Sequence, residues 1–336
     1  MKAIVQTKYG SPDEVLDLRQ VDKPVTGDDE VLIRVHAASV HPDVWHVVRG
    51  FPYVLRLMGA GLRTPKHRIP GTDMAGHVDS VGKNVTRFHP GDAVFGECVE
   101  KHQWTNGGNY AEWVSVREGA LAHKPANVTF EQAAAVPTSG LIALRVLREE
   151  GRIQAGQTVL INGAGGGVGS LAVQIAKSYG THVTGVDTGR KLEMIRSLGA
   201  DRVIDYTKED FTRSGERYDL IFDVASNLSL SDCKRALTRD GTFALVGHDH
   251  FGTVGRRWFG SIPRFMGLQM MAPFVRCLKG RRKVTDAKLP LAVLQELLEA
   301  GQITPHIDRT FPMSEACAAI RYLVEGHPLG KVVLTV

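Results

Sequence analysis

Cysteine is scarce and scattered: Cys98, Cys233, Cys277 and Cys317 are the only four in 336 residues, with no Cys-x-x-Cys pair and no short zinc spacing. That spacing offers neither a disulfide framework nor a structural zinc knuckle. No apolar run approaches the roughly 20 residues that cross a bilayer, so no membrane span is expected. Met1 to Tyr9 alternates like a strand and lacks the regions of an export signal, which points to the cytoplasm. The net charge of +5 is modest. Its densest cluster, Arg276 to Lys283, has no accompanying aromatic or repeat pattern, so it reads as a solvated face and not as a nucleic-acid surface. Internal repeats are absent, and the length fits about two domains.

The sequence is rich instead in one place. Thr158 to Asn162 is an apolar, β-rich run that breaks into Gly163-Ala164-Gly165-Gly166-Gly167-Val168-Gly169, followed at once by a helix-like segment from Ser170 to Tyr179. A diphosphate needs backbone N–H groups at contact distance and no Cβ in the way, and a helix start adds partial positive charge. A glycine turn alone is a weak signal; a strand before it, a helix after it and an acid about 20 residues on make it a dinucleotide turn. Here His182 to Asp187 reads as the second strand, and Asp187 at its end is placed for the adenosine ribose. The fingerprint departs from the strict glycine pattern at its first position, which is Ala164.

Around this turn the chain changes character. Residues 1–125 hold short β-like runs (Glu30 to Ala37, Ala75 to Val81, Asp92 to Phe95, Tyr110 to Val116) cut by Gly, Pro and Asp, which predicts an antiparallel β domain. Residues 126–285 alternate. Helices are predicted at Arg190 to Leu198 and Leu228 to Leu237, and strands at Arg202 to Asp205, Tyr218 to Val224 and Thr242 to Val246. The expected fold class is α/β, a doubly wound parallel sheet of Rossmann type. Residues 286–336, with a helix at Leu289 to Ala300 and a strand at Lys331 to Val336, are expected to return to the first domain, so that the nucleotide domain is an insertion.

These residues match a family. The chain resembles the medium-chain dehydrogenase/reductases, and among them the zinc-independent quinone oxidoreductases, nearly end to end. The likeness rests on Met1-Lys2-Ala3-Ile4-Val5, Pro70-Gly71-Thr72-Asp73-Met74-Ala75-Gly76, Pro90-Gly91-Asp92-Ala93-Val94-Phe95-Gly96, Gly108-Asn109-Tyr110-Ala111-Glu112, Ala133 to Gly140, the glycine turn and Gly330-Lys331-Val332-Val333-Leu334. The resemblance implies a GroES-like catalytic domain around the Rossmann insertion. It also implies a homodimer joined at the nucleotide-domain sheets, for which the apolar run Phe265 to Ala272 is the candidate edge.

Alcohol dehydrogenases of this family hold a catalytic zinc at places that here carry His41, Thr72, Asp73 and Ala135. Thr and Ala do not supply the missing ligands, and a zinc that polarises an oxygen needs about three, so no metal is expected. Without a Lewis acid the acceptor must already be electron-poor: a quinone or an α,β-unsaturated carbonyl, small and apolar. The protein then orients the reactants, excludes water and hydrogen-bonds the developing oxyanion. Where the family builds its cleft, the candidates for this work are His41, Trp45, Tyr53, Thr72 and Thr138; an asparagine usually stands at the place of His41 in quinone reductases. Phe51 to Arg68 has the composition of a cover over the cleft.

For the cofactor, the resemblance assigns Thr138, Ala164, Gly165, Gly166, Gly167, Val168 and Gly247 to dinucleotide binding. Asp187 argues for NADH. Thr188, Arg190 and Lys191 at the next helix start, with Tyr206, argue for a 2′-phosphate, and NADPH is the reading adopted, with NADH as the alternative. The two coexist if the Asp187 side chain turns away. Competing functions are a zinc-free dehydrogenase of one particular metabolite and a low-turnover NADPH-binding sensor or structural protein.

Overall fold

The structure is a computed structural model that describes residues 1–98, 106–246, 258–278 and 291–336. The chain opens with β1 (Lys2–Gln6), a short helix α1 (Pro12–Val15) and β2 (Leu16–Gln20), which pairs antiparallel with β1. Contrary to the alternation expected at the start, Ala3 to Gln6 are buried on both faces, because Ile4 donates to the carbonyl of Tyr110 and packs into the core behind it. A larger antiparallel sheet follows from β3 (Glu30–Val40), β4 (Asp73–Val81), β5 (Ala93–Glu97), β6 (Trp113–Arg117) and β7 (Leu121–His123). Between β3 and β4 lies α2 (Pro42–Arg49), with Pro42 in its first turn and Gly50 at φ 66° ending it, the backbone region that favours glycine.

Two helices lead out of this sheet. Thr129 and Gln132 form a reciprocal cap on α3 (Phe130–Ala134), satisfying N–H groups that a helix start leaves over, and α4 (Pro137–Leu144) follows. The chain then alternates: β8 (Thr158–Asn162), α5 (Gly167–Ser178), β9 (His182–Asp187), α6 (Leu192–Ser197), β10 (Arg202–Asp205), β11 (Tyr218–Asp223), α7 (Leu230–Ala236) and β12 (Leu237–Leu245). These five strands form one parallel sheet in the order β10-β9-β8-β11-β12. Val159, Leu160 and Ile161 are fully buried, as a strand covered by helices on both faces requires. Successive strands run outward in opposite directions from β8, so the crevice at the C-terminal ends of β8 and β11 is the switch point where such sheets take ligands.

The segment Phe265 to Ala272, offered above as a sheet edge, is helical: it lies in and just after α8 (Ile262–Met271). Pro263 sits in its first turn, where proline favours a helix start, and Leu268 and Ala272 are buried four residues apart. After α9 (Ala292–Glu299) the chain rejoins the antiparallel sheet through β13 (Ile307–Pro312), α10 (Ala316–Glu325) and β14 (Lys331–Thr335), which pairs with β3. One apolar cluster runs through both sheets, joining Phe95 and Val333 to Val159 and Phe222. The two halves are therefore packed on each other around the cleft.

Candidate dinucleotide site and adjoining cleft

The turn after β8 is made almost wholly of glycine. Gly163 has φ 85°, α5 begins at Gly167, and its N-cap is Gly166, with no side chain satisfying the first N–H groups. A Cβ added at Gly169 would lie 2.1 Å from the Gly163 carbonyl oxygen, and one at Gly165 would lie 2.6 Å from Lys191 Cδ and 3.0 Å from Asp187 Oδ2. One at Gly167 would meet Lys331 Cδ at 2.9 Å. Glycine is needed because three side chains and the Gly163 carbonyl crowd the turn; the N–H groups of Gly163, Ala164, Gly165 and Gly166 are bonded within the fold, and the uncapped N–H groups at the start of α5 are the ones that face a ligand. Ala164 is fully buried and Val168 half-buried, so a methyl at the first fingerprint position points into the core.

Asp187 does not face outward. Its Oδ2 accepts from Gly165 N at 2.8 Å and its Oδ1 from Thr188 N at 2.8 Å, so the carboxylate ties the end of β9 to the glycine turn. Lys191 Nζ stands 3.9 Å from Asp187 Oδ1. Burial holds the Lys191 ammonium below the usual lysine range, Asp187 opposes that shift, and Arg190 adds to it. Arg190, offered for a 2′-phosphate, instead donates from its guanidinium to the carbonyls of Gly326 and His327. Tyr206 is exposed and Thr188 half-buried beside the same strand end. Gly247 lies outside the described residues.

Two residues at the start of β14, outside the site residues assigned from the sequence, complete the turn. Lys331, 2% exposed, reaches across from β14 and donates to Ser139 Oγ of α4 at 3.0 Å, while Gly330 N donates to Gly165 O at 2.9 Å. Burial lowers the Lys331 pKa, and Asp73 and Asp43 pull it back up. A cation thus stands directly against a helix start and a glycine turn, where an anion would complete it.

Next to Lys331 the ends of β3 and β4 carry the cleft residues. Asp73 is fully buried: Oδ1 accepts from Thr138 N at 3.2 Å and from Thr138 Oγ1 at 2.5 Å, and Oδ2 accepts from Ser39 Oγ at 3.2 Å. Thr138 Oγ1 also lies 3.2 Å from Glu97 Oε1. The Thr72 hydroxyl is buried and has no hydrogen-bond partner among the described residues. His41 caps α2, its Nδ1 3.3 Å from Asp43 N and 3.0 Å from Asp43 Oδ2. Thr138 thus stands on Asp73, the residue after Thr72, and His41 on Asp43, and both carboxylates act on Lys331. Trp45 and Tyr53 make other described contacts: Trp45 packs edge-on against His46, and Tyr53 against Trp258, with Arg56 over its ring at 4.8 Å. Ala135 is buried. Among the described residues no group of three or more His, Cys, Asp or Glu is arranged to hold a metal ion.

At the switch point itself a second polar cluster closes the ends of β8 and β11. Asn162 Nδ2 donates to Asp223 Oδ1 at 2.8 Å and to Asn227 Oδ1 at 2.7 Å, Ser226 N donates to Asp223 at 2.8 Å, and Arg264 of α8 donates to the carbonyls of Ser226 and Leu228. Burial raises the Asp223 pKa. Ser226, fully buried, is held at φ 60°. Nothing in the local spacing announced this cluster, since its members come from three separate elements.

A parallel nucleotide sheet with an open glycine turn, inserted beside an antiparallel domain that supplies a buried polar cleft, defines a two-domain, dinucleotide-dependent oxidoreductase. Comparison with known proteins gives the family. Residues 27–126 match the family model described as the alcohol dehydrogenase GroES-like domain, and residues 198–334 the one described as zinc-binding dehydrogenase. The chain is 31% identical to a chloroplastic quinone oxidoreductase of Triphysaria versicolor, over 99% of this chain and 98% of the other. It is 32% identical to a chloroplastic NADPH-dependent alkenal/one oxidoreductase of Arabidopsis thaliana, over 99% and 79%. The solved structure of a quinone oxidoreductase from Coxiella burnetii superposes with a TM-score of 0.80 at 28% identity, covering 100% of this chain and 99% of that one. The chain belongs to the medium-chain dehydrogenase/reductases, in the quinone oxidoreductase branch, and is an NAD(P)H-dependent oxidoreductase. No described helix is long and apolar enough to cross a membrane.

Proposed function

We propose that the protein reduces quinones or α,β-unsaturated carbonyls with NADPH and without zinc. The observation that carries this reading is the state of Asp73, the one carboxylate at the family's zinc-ligand places. Its two oxygens already accept three hydrogen bonds, from Thr138 and Ser39, and its neighbours at those places are Thr72 and Ala135. His41, the remaining candidate, is turned onto Asp43. A metal would have to displace this network to gain a third ligand. The relatives named as quinone and alkenal reductases point to the same acceptors.

The residues present fit a dinucleotide. In this reading the start of α5 takes the diphosphate with Lys331 beside it, and Lys191 with Tyr206 would hold a 2′-phosphate, next to an Asp187 that is turned inward. The bound nicotinamide supplies the hydride. The chain's own residues hold the acceptor, and we assign the hydrogen bond to the oxygen on which charge develops to His41 and to the Thr72 hydroxyl, which is buried and has no partner among the described residues. Thr138 keeps Asp73 in place. We take the active assembly to be a homodimer, which sedimentation as a monomer at micromolar concentration would contradict.

The test is product analysis with stereospecifically 4-deuterated NADPH and a short enone. Deuterium at the β-carbon of a saturated product supports the reading. An allylic alcohol product, reduced at the carbonyl carbon, contradicts it.

A further inference from the structure

The sequence distributes its charge unevenly. Residues 44–72 and 250–285 contain no Asp or Glu, and carry 13 of the 41 Lys and Arg; the rest of the chain holds 28 cations against 36 acids, a net charge of −8. The fold brings the described parts of the two stretches together. Val54 N donates to the Trp258 carbonyl at 3.1 Å, the Tyr53 and Trp258 rings are 5.2 Å apart, and Pro52 packs against Gly260. Tyr9 Oη anchors the far end of the first stretch by donating to the carbonyls of Ala60 and Gly61 at 2.9 and 2.7 Å.

The same two stretches carry the exposed apolar surface. Of thirteen large apolar side chains that stand exposed among the described residues, nine lie here, including Leu57 (73% exposed), Leu62 (66%) and Trp258 (69%), with the outer methionines of α8. Scattered exposed apolar residues need no explanation, whereas a cluster marks a contact surface. Beside Leu62, Arg63, Lys66 and Arg68 are exposed and, among the described residues, form no ion pair with an acid. Protruding Leu, Met and Trp set among cations that have no acidic partner among the described residues, on a molecule negative elsewhere, match an anionic bilayer: the apolar groups enter the acyl boundary and the cations meet the headgroups. Nucleic acid would use the cations and leave the aliphatic side chains in water.

We propose that this face, built from the Leu57–Arg68 segment and the Trp258–Phe259 edge, docks the protein on anionic lipid surfaces. The orientation keeps the acidic remainder away from the headgroups. The docking does not depend on which acceptor the cleft takes.

Co-sedimentation of the full chain with phosphatidylcholine vesicles containing 30% phosphatidylglycerol, against pure phosphatidylcholine, tests it at low and high salt. Expected is partition onto the anionic vesicles, lost in their absence. Removing the cations in Arg63→Gln/Lys66→Gln/Arg68→Gln weakens it by about fivefold per charge, and Leu57→Ser/Leu62→Ser weakens it by at least about tenfold at unchanged charge. All these sites are exposed, so an unaltered unfolding midpoint certifies the variants. Failure to sediment with anionic vesicles overturns the proposal. So does binding that ignores Leu57 and Leu62, or equally tight binding to duplex DNA, since either means a surface that reads charge alone.

Discussion

Replacing Asp187 separates two roles that a carboxylate at the end of a second nucleotide-binding strand can have. If it selects the cofactor by holding the ribose, Asp187→Ala should move preference toward NADPH by tenfold or more and leave the fold largely intact. The structure assigns it the other role. Two backbone N–H groups, of Gly165 and Thr188, donate to it at 2.8 Å, and the residue is 8% exposed. A hydrogen bond to a charged group contributes about 1.5–3 kcal/mol. Water reaching the half-buried Thr188 amide returns part of that, and loss of the Lys191 partner adds a buried cation without its counter-charge. The sum is about 2–4 kcal/mol, or roughly 5–15 °C in the melting temperature of a nucleotide domain of this size. Asp187→Asn, which keeps one acceptor, should fall between. The assays are thermal unfolding without cofactor and the ratio of kcat/KM with NADPH to that with NADH. An unchanged melting temperature together with a tenfold swing in that ratio would refute the structural role.

The remaining predictions concern the same turn and cleft. Lys331→Met should raise the Kd for NADPH by about 10–100-fold, the loss of one charge-assisted contact. Because burial lowers the Lys331 pKa in the free protein and a diphosphate would raise it again, cofactor affinity should weaken as pH rises through that lowered pKa, and calorimetry should show proton uptake on binding that Lys331→Met abolishes. The sign for stability is opposite: a lysine with a depressed folded pKa destabilises the free protein while protonated, so its stability should increase between that pKa and 10.5. Gly169→Ala puts a methyl 2.1 Å from the Gly163 carbonyl oxygen with only backbone to yield; a cost of about 1–3 kcal/mol or more and loss of NADPH retention on an affinity column are expected. Thr138→Val, which removes the hydroxyl from two buried carboxylates, should lower stability by about 1–3 kcal/mol in denaturant titration and reduce kcat as well.

What was legible in the sequence was whatever depends on neighbours in the chain. The glycine turn, the strand His182–Asp187 and the helices around them follow from composition over a few residues, and the observed bounds of β9 and β10 equal the expected ones. Contacts between distant segments were not legible. Lys331 and Ser139 are 192 positions apart, and only the pairing of β14 with β3 carries the lysine to the turn. The position of Asp187 was readable but its direction was not, because that depends on which N–H groups the folded turn leaves over. Arg190 looked like a free cation at a helix start until the segment before β14 supplied two carbonyls. The run Phe265 to Ala272 is apolar enough for a strand or a helix, and packing of Leu268 and Ala272 on the nucleotide sheet decides for the helix.

The most direct test of a zinc-free NADPH reductase is steady-state oxidation of NADPH and NADH, side by side, with a panel of quinones and short enones, on chelator-treated protein whose metal content is measured in the same sample. Quinone- or enone-dependent turnover at full rate with less than about a tenth of an equivalent of zinc, and a preference for NADPH, are expected. Stoichiometric zinc whose removal abolishes turnover would contradict this.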